Sequence, residues 1–124
     1  MDWQQKLLKK YPHIFGDNFH FECEGGWLSV IDKMCFQITE YLQKNPSVEK
    51  VTALQLKEKF GTMRFYYSGG DEFVEFIVSE AEINSGETCE LSGGDGELHR
   101  DDGGYLKTLS KFAGLLTSFK LIKK

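Results

Sequence analysis

The spacing of hydrophobic residues changes several times along this chain, and each change marks an element. Trp3, Leu7, Leu8 and Tyr11 recur at helical intervals, with Asp2 placed to cap the first turn and Gln5 three positions later. This predicts a short helix ending near Lys10, ahead of Pro12. Phe19, Phe21 and Cys23 then alternate with polar residues, the period of a brief strand that Gly25-Gly26 closes. From Trp27 to Lys44 the positions Trp27, Leu28, Ile31, Met34, Cys35, Ile38, Tyr41 and Leu42 keep one helical stripe until Asn45-Pro46 stops it.

The pattern then turns to β-branched and aromatic residues between Val48 and Tyr67. They predict two antiparallel strands joined by a turn or bulge around Phe60-Gly61-Thr62 and ended by Gly69-Gly70. Asp71 to Asn84 is helical again, with Val74, Ile77, Val78 and Ala81 on one side and Glu72, Glu75, Ser79 and Glu82 expected to face water. Ser85-Gly86 is its stop.

Residues 87–104 carry Gly93, Gly94, Gly96, Gly103 and Gly104, which predict tight turns around one small hairpin. Leu109, Phe112, Leu116 and Phe119 sit near helical spacing among Lys107, Lys111, Lys120, Lys123 and Lys124. They predict a basic amphipathic C-terminal helix docked on the chain's own core, with an anionic membrane surface as the alternative seat. The fold expected is α+β: a small antiparallel sheet or hairpin against two or three helices. Residues 1–86 form the core of this fold, and 87–124 add a glycine-rich, degenerate ribbon and a helix within the same domain.

Composition supports folding and narrows the compartment. A hydrophobic fraction of 40% and an aromatic fraction of 14% over 124 residues suffice for one core. No stretch approaches the ~18–20 apolar residues of a membrane span, and Met1-Asp2-Trp3-Gln4-Gln5 lacks the basic start of a signal peptide. Three widely spaced cysteines, Cys23, Cys35 and Cys89, are no disulfide framework. A cytoplasmic protein with free thiols is expected.

Charge is segregated. The total is −4, yet residues 1–44 sum to −1, 45–67 to +2, 68–104 to −10 and 105–124 to +5. An acidic total disfavours general nucleic-acid binding but leaves basic patches.

Thr88-Cys89-Glu90-Leu91-Ser92-Gly93 has the outline of half a zinc knuckle, in which two thiolates two residues apart face one tetrahedral ion. Ser92 stands where the second thiol belongs, and Ser110 and Ala113 fall where a second C-x2-C or C-x2-H pair would lie. Three of four positions cannot bind zinc, so neither a metal nor another cofactor is expected. His13, His20 and His99 lie beside no complementary ligand or nucleophile. The acidic loop Asp95, Glu97, Asp101, Asp102 lacks the order of a calcium loop, and no phosphate-binding, dinucleotide or hydrolase motif occurs. A non-enzyme is expected.

Several separated stretches resemble a family of small, largely uncharacterised phage and prophage proteins. These are Lys10-Tyr11-Pro12 with Ile14-Phe15, Glu22-Cys23-Glu24-Gly25-Gly26-Trp27, Leu56 to Tyr66, the knuckle outline, and Gly103 to Leu109. The resemblance spans most of residues 10–110. It implies a small accessory protein in the host cytoplasm, and many members look as if they keep a four-ligand Cys/His cluster where this chain has Ser92, Ser110 and Ala113.

Lys57, Lys59 and Arg64 alternate with Phe60, Phe65, Tyr66 and Tyr67 in the hairpin, a pattern that can hold single-stranded nucleic acid. The plainer reading puts Phe60, Phe65 and Tyr67 in the core with the charges on a wet face, where they could pair with Glu22 or Glu24. A sharper expectation is that Glu22, Trp27, Lys57, Lys59, Arg64 and Tyr66 form one contact surface. On these grounds the chain is expected to act by binding another macromolecule, a host or phage protein first and nucleic acid second; inhibiting host defence would be one such role.

Overall fold

The computed structural model describes residues 2–122, and its element order follows the sequence pattern closely as far as residue 86. Helix α1 spans Trp3–Lys10, with the Asp2 carboxylate accepting the Gln5 N–H at 2.8 Å. A two-residue strand β1, Phe21–Glu22, leads through a single 3-10 turn at Gly25–Trp27 into α2, Leu28–Lys44. Strands β2, Thr52–Lys59, and β3, Thr62–Ser68, form the hairpin, and α3 follows over Glu72–Ser85, capped by Asp71.

The first sheet has the order β1-β2-β3. β2 and β3 are antiparallel as expected, but β1 runs parallel to β2, so the sheet is mixed. That correction has a topological reason: β1 reaches β2 through the long α2 crossover, which returns the chain in the same direction. The strand is also shorter than the alternation of Phe19, Phe21 and Cys23 suggested. Phe19 packs its ring tilted against Phe15 and edge-on to Phe21 instead of entering the ladder.

One large apolar cluster fills the space between this sheet and the helices. Leu7, Phe15, Phe21, Trp27, Ile31, Met34, Ile38, Leu56, Met63 and Val74 are buried in it almost completely. The hairpin turn is the two-residue Phe60-Gly61, both with positive φ, the type I′ geometry that matches strand twist. Phe60 therefore points outward and is mostly exposed, not in the core as the plainer reading had it. The outer edge of β3 is closed by α3: the Met63 N–H donates to Ser85 Oγ at 2.8 Å and the Phe65 N–H to the Glu82 carboxylate at 2.9 Å. Glu82 thus leaves the wet stripe expected for it and blunts an edge that would otherwise invite strand addition.

Beyond residue 86 the fold departs further. Strands β4, Glu97–Arg100, β5, Leu106–Leu109, and β6, Lys120–Leu121, form a second antiparallel sheet of order β5-β4-β6. The single amphipathic helix expected through Leu109, Phe112, Leu116 and Phe119 is replaced by β5, the five-residue helix α4 at Lys111–Leu115, and β6. Local chemistry explains the break. Ser110 starts α4 by accepting the Ala113 N–H, and Thr117 Oγ1 accepts the Phe119 N–H as the chain turns back towards β4. At Gly114 a Cβ would stand 2.6 Å from His99 Nε2, so the helix packs where no larger residue fits.

This second sheet is fastened to the first unit by named bonds. The Gly26 N–H donates to the Glu90 carbonyl at 2.7 Å, Trp27 Nε1–H to the Thr88 carbonyl at 2.9 Å, and Thr108 Oγ1–H to the Gly61 carbonyl at 2.6 Å. Gly26 is required there, because a Cβ would lie 2.3 Å from the Glu90 carbonyl oxygen. No helix among the described residues is long and apolar enough to cross a membrane.

Candidate functional site

The outer face of the β1-β2-β3 sheet gathers five of the six residues expected to form a contact surface. Register pairs Glu22 with Lys57 and Lys57 with Arg64, so these three lie in one row across the sheet. The next row towards β2's start pairs Gln55 with Tyr66, and the row towards the turn pairs Lys59 with Thr62. Strand alternation turns Leu56, Met63 and Phe65 into the core and leaves this set outside.

Trp27 is the sixth, and it is a correction. Its ring is fully buried in the main cluster, and its indole N–H is spent on Thr88. A tryptophan at the start of an amphipathic helix can anchor either a core or a surface; the stripe it begins in α2 faces inward, which settles its place.

The charges on this face form no salt bridge among the described residues. Glu22 accepts the Gln55 amide at 2.8 Å, and among the described residues neither Lys57, Lys59 nor Arg64 joins a salt bridge. Pairing of the basic residues with Glu22 or Glu24, the plainer expectation, does not occur. Lys57 Nζ lies 6.0 Å from the Tyr66 ring centroid and Lys59 Nζ 5.6 Å from that of Phe60, cation–π contacts that orient both ammonium groups along the face. Arg64 Nε–H donates only to Thr62 Oγ1, leaving its other donors to solvent. Lys57 and Arg64 stand directly opposite one another, an arrangement of like charges that costs stability in a sheet.

A polar cleft of about 370 Å³ opens where the two units meet, lined among others by Trp3, His20, Glu24, Glu58, Glu90 and Lys107. Lys107 Nζ lies 3.0 Å from Glu90 and 4.0 Å from Glu58. Glu90, almost completely buried, also accepts the Glu24 N–H, and Glu58 accepts that of Gly61. Burial pushes the Cys23 thiol in this cleft up to about 12, with Glu90 and Glu24 adding to the rise. Sequence reasoning missed this cluster because its members come from five separate segments and carry no local motif.

The positions of the knuckle outline converge. Cys89 Sγ accepts the Ser92 N–H at 3.3 Å, and the donors of Ser92 and Ser110 stand beside it. Ala113 packs against Cys89 in the small second core, and Ser110 Oγ accepts its N–H. Burial by itself would raise the Cys89 thiol, but these donors outweigh it and bring the group down to about 7. One thiolate, two hydroxyls and a methyl do not fit zinc, which takes thiolate, imidazole or carboxylate ligands. Among the described residues no three His, Cys, Asp or Glu side chains are arranged to hold a metal ion. His99 is buried, with Nδ1 against the Glu97 carbonyl at 2.8 Å, and His13 bonds Thr39 Oγ1. No protein-family model matches the chain, and no curated protein or solved structure does either.

Proposed function

We propose that this protein works by recognition: the outer face of the β1-β2-β3 sheet docks on an acidic patch of another protein. The observation that carries the reading is the row Glu22, Lys57, Arg64 beside Tyr66, with three cations outside every salt bridge among the described residues and Glu22, Lys59, Arg64 and Tyr66 exposed. Placing Lys57 opposite Arg64 opposes sheet stability, and local conflicts of this kind concentrate at functional sites. Arg64 and Tyr66 are residue types that dominate protein contacts, while Glu22 supplies the negative element that would reject a wrong register.

The phage resemblance adds a host or phage protein as the partner, the cytoplasm of the host cell as the place, and interference with host defence as one use. In the same reading the C-terminal sheet is a ribbon without zinc, whose shape comes from packing and backbone pairing. Recognition is then the activity of the chain, and catalysis is not. A pull-down from bacterial host lysate tests this. A protein retained at micromolar concentration by the wild type and lost with Lys57→Glu/Arg64→Glu is the expected result; no such protein, or equal retention by the variant, contradicts it.

Nucleic acid is the second reading, favoured by the alternation of Lys57, Lys59 and Arg64 with exposed Phe60 and Tyr66. The overall charge of −4 and the short span of the cations weigh against it. Detectable binding of single-stranded DNA at low ionic strength, weakening steeply as salt is added, would move the second reading ahead of the first.

A further inference from the structure

The hairpin tip that carries part of the sheet face is built into a contact with the second sheet. Lys59 and Phe60 are exposed, yet the next residue, Gly61, is buried. Leu98 and Thr108, opposite one another in β4 and β5, lie over it: a Cβ at Gly61 would stand 2.7 Å from Leu98 Cδ1 and 3.4 Å from Thr108 Oγ1. Both polar groups of Gly61 are held there. Its carbonyl accepts the Thr108 hydroxyl at 2.6 Å, and its N–H donates at 2.7 Å to the Glu58 carboxylate, which lies 4.0 Å from Lys107 Nζ. Two adjacent residues of β5 thus reach a turn 47 positions away in the chain.

The tip needs such a hold. Loop tips are ordinarily where a chain is most mobile, and Phe60 is kept at φ 54°, a left-handed conformation that a bulky side chain resists. Its ring is 66% exposed, so no packing of its own offsets that strain. Strain of this kind persists only where the surroundings over-determine it, and it concentrates at sites that bind or switch. The tip in turn sets its neighbours. Lys59 Nζ lies over the Phe60 ring, and Thr62 Oγ1 donates to the Lys59 carbonyl at 3.2 Å while accepting the Arg64 Nε–H at 3.2 Å. A turn held in one conformation therefore fixes the directions of Lys59 and Arg64, two of the three cations on the face.

We infer that the second sheet is a clamp that holds the hairpin tip in its binding-ready shape, with Thr108 and Lys107 as positioning residues for the sheet face. The inference rests on the recognition reading above and adds what sets the geometry of that surface. A tip ordered in advance does not have to be ordered when a partner docks, which strengthens binding without a new contact. The clamp also couples the two units: whatever loosens β5 loosens the tip, and a partner that selects the ordered tip steadies β5 to the same degree.

Amide hydrogen exchange of the full chain tests this with two substitutions at one position. Thr108→Val keeps the shape of the side chain and removes the hydroxyl, whereas Thr108→Ser keeps the hydroxyl. The Val variant should exchange the Gly61 and Thr62 amides about tenfold faster, the scale of one buried hydrogen bond, with α2 unchanged. The Ser variant should match the wild type. The host protein captured by the wild type in the lysate pull-down should be retained several-fold less by the Val variant and fully by the Ser variant. Unchanged tip exchange in the Val variant, an equal change in the Ser variant, or faster tip exchange with full retention overturns the inference. A wild type that retains no host protein defeats the recognition reading alone, because the exchange comparison still decides the clamp. If the Val variant does not fold, exchange of the wild type along a denaturant series decides: Gly61 and β5 should lose protection together, and a tip that opens apart from β5 overturns the clamp.

Discussion

The two sheets of this molecule are held together by different forces. The first covers a continuous apolar cluster drawn from α1, α2, α3 and both hairpin strands. Among the described residues, the apolar cluster of the second is Cys89, Leu109 and Ala113, with Phe119 against them. So few side chains cannot offset the chain entropy of ordering some thirty-five residues. What the second sheet lacks in core it recovers through polar and backbone bonds to the first unit, at Gly26, Trp27 and Gly61, with the Glu24 N–H donating to Glu90 and Lys107 4.0 Å from Glu58. The lesson is that the C-terminal sheet is a dependent structure whose order is borrowed from residues far away in sequence.

Trp27 serves both regions, so its removal should have the largest effect. Trp27→Ala is expected to cost about 4 kcal/mol in denaturant unfolding, within the ~3–5 kcal/mol range for large aromatic deletions. Amide exchange should show protection lost in residues 87–109 as well as in α2. If the loss stays within α2, the second sheet does not depend on the first.

Lys107→Ala comes next. It leaves the Glu90 carboxylate buried without its cation, a change that costs ~3–5 kcal/mol for fully buried pairs. Lys107 keeps some access to water, so about 2 kcal/mol is expected here. Equal stability of the variant would show that the Glu24 N–H alone satisfies Glu90.

Cys89 gives a pH signature confined to the second region. Its folded value of about 7 lies below the ~8.5 of a free thiol, so the folded state holds its thiolate better than the unfolded chain does. Stability should therefore grow as pH rises through 7, be complete above the unfolded value, and be lost as pH falls below 7. Thiolate absorbance near 240 nm should show a matching step that Cys89→Ser abolishes, while Cys23 stays silent until far higher pH. No step in that window contradicts the hydrogen-bonded thiolate.

The smallest effect is expected at the hairpin tip. Phe60 holds φ of 54°, a left-handed conformation that Asn adopts more readily, and its ring is exposed. Phe60→Asn should raise stability by about 0.5–1 kcal/mol in thermal unfolding, and a loss would show that the ring is needed where it stands.

The first region was legible in the sequence because its signals are local and periodic. The stripe from Trp27 to Leu42, the Asp2 cap and the β-branched and aromatic run from Val48 to Tyr67 each predict an element without knowledge of the rest. The second region has no such redundancy. Leu109, Phe112, Leu116 and Phe119 fit a helical period by coincidence, while Gly114 against His99 and the Thr117 turn, which break the helix, depend on contacts with β4. On the candidate site, alternation placed Lys57, Lys59, Arg64 and Tyr66 on one face and the parallel pairing added Glu22. Trp27 was misplaced because residue type alone does not distinguish a core anchor from a surface one.

The most direct measurement of this dependence is thermal unfolding of the purified chain before and after exhaustive treatment with a strong chelator. A sheet held by Trp27, Gly26, Lys107 and the Cys89 hydrogen bonds predicts one cooperative transition with the same midpoint in both samples. A lowered midpoint after chelation, or a separate early transition of the C-terminal sheet, would mean that a bound ion supplies the order assigned here to packing.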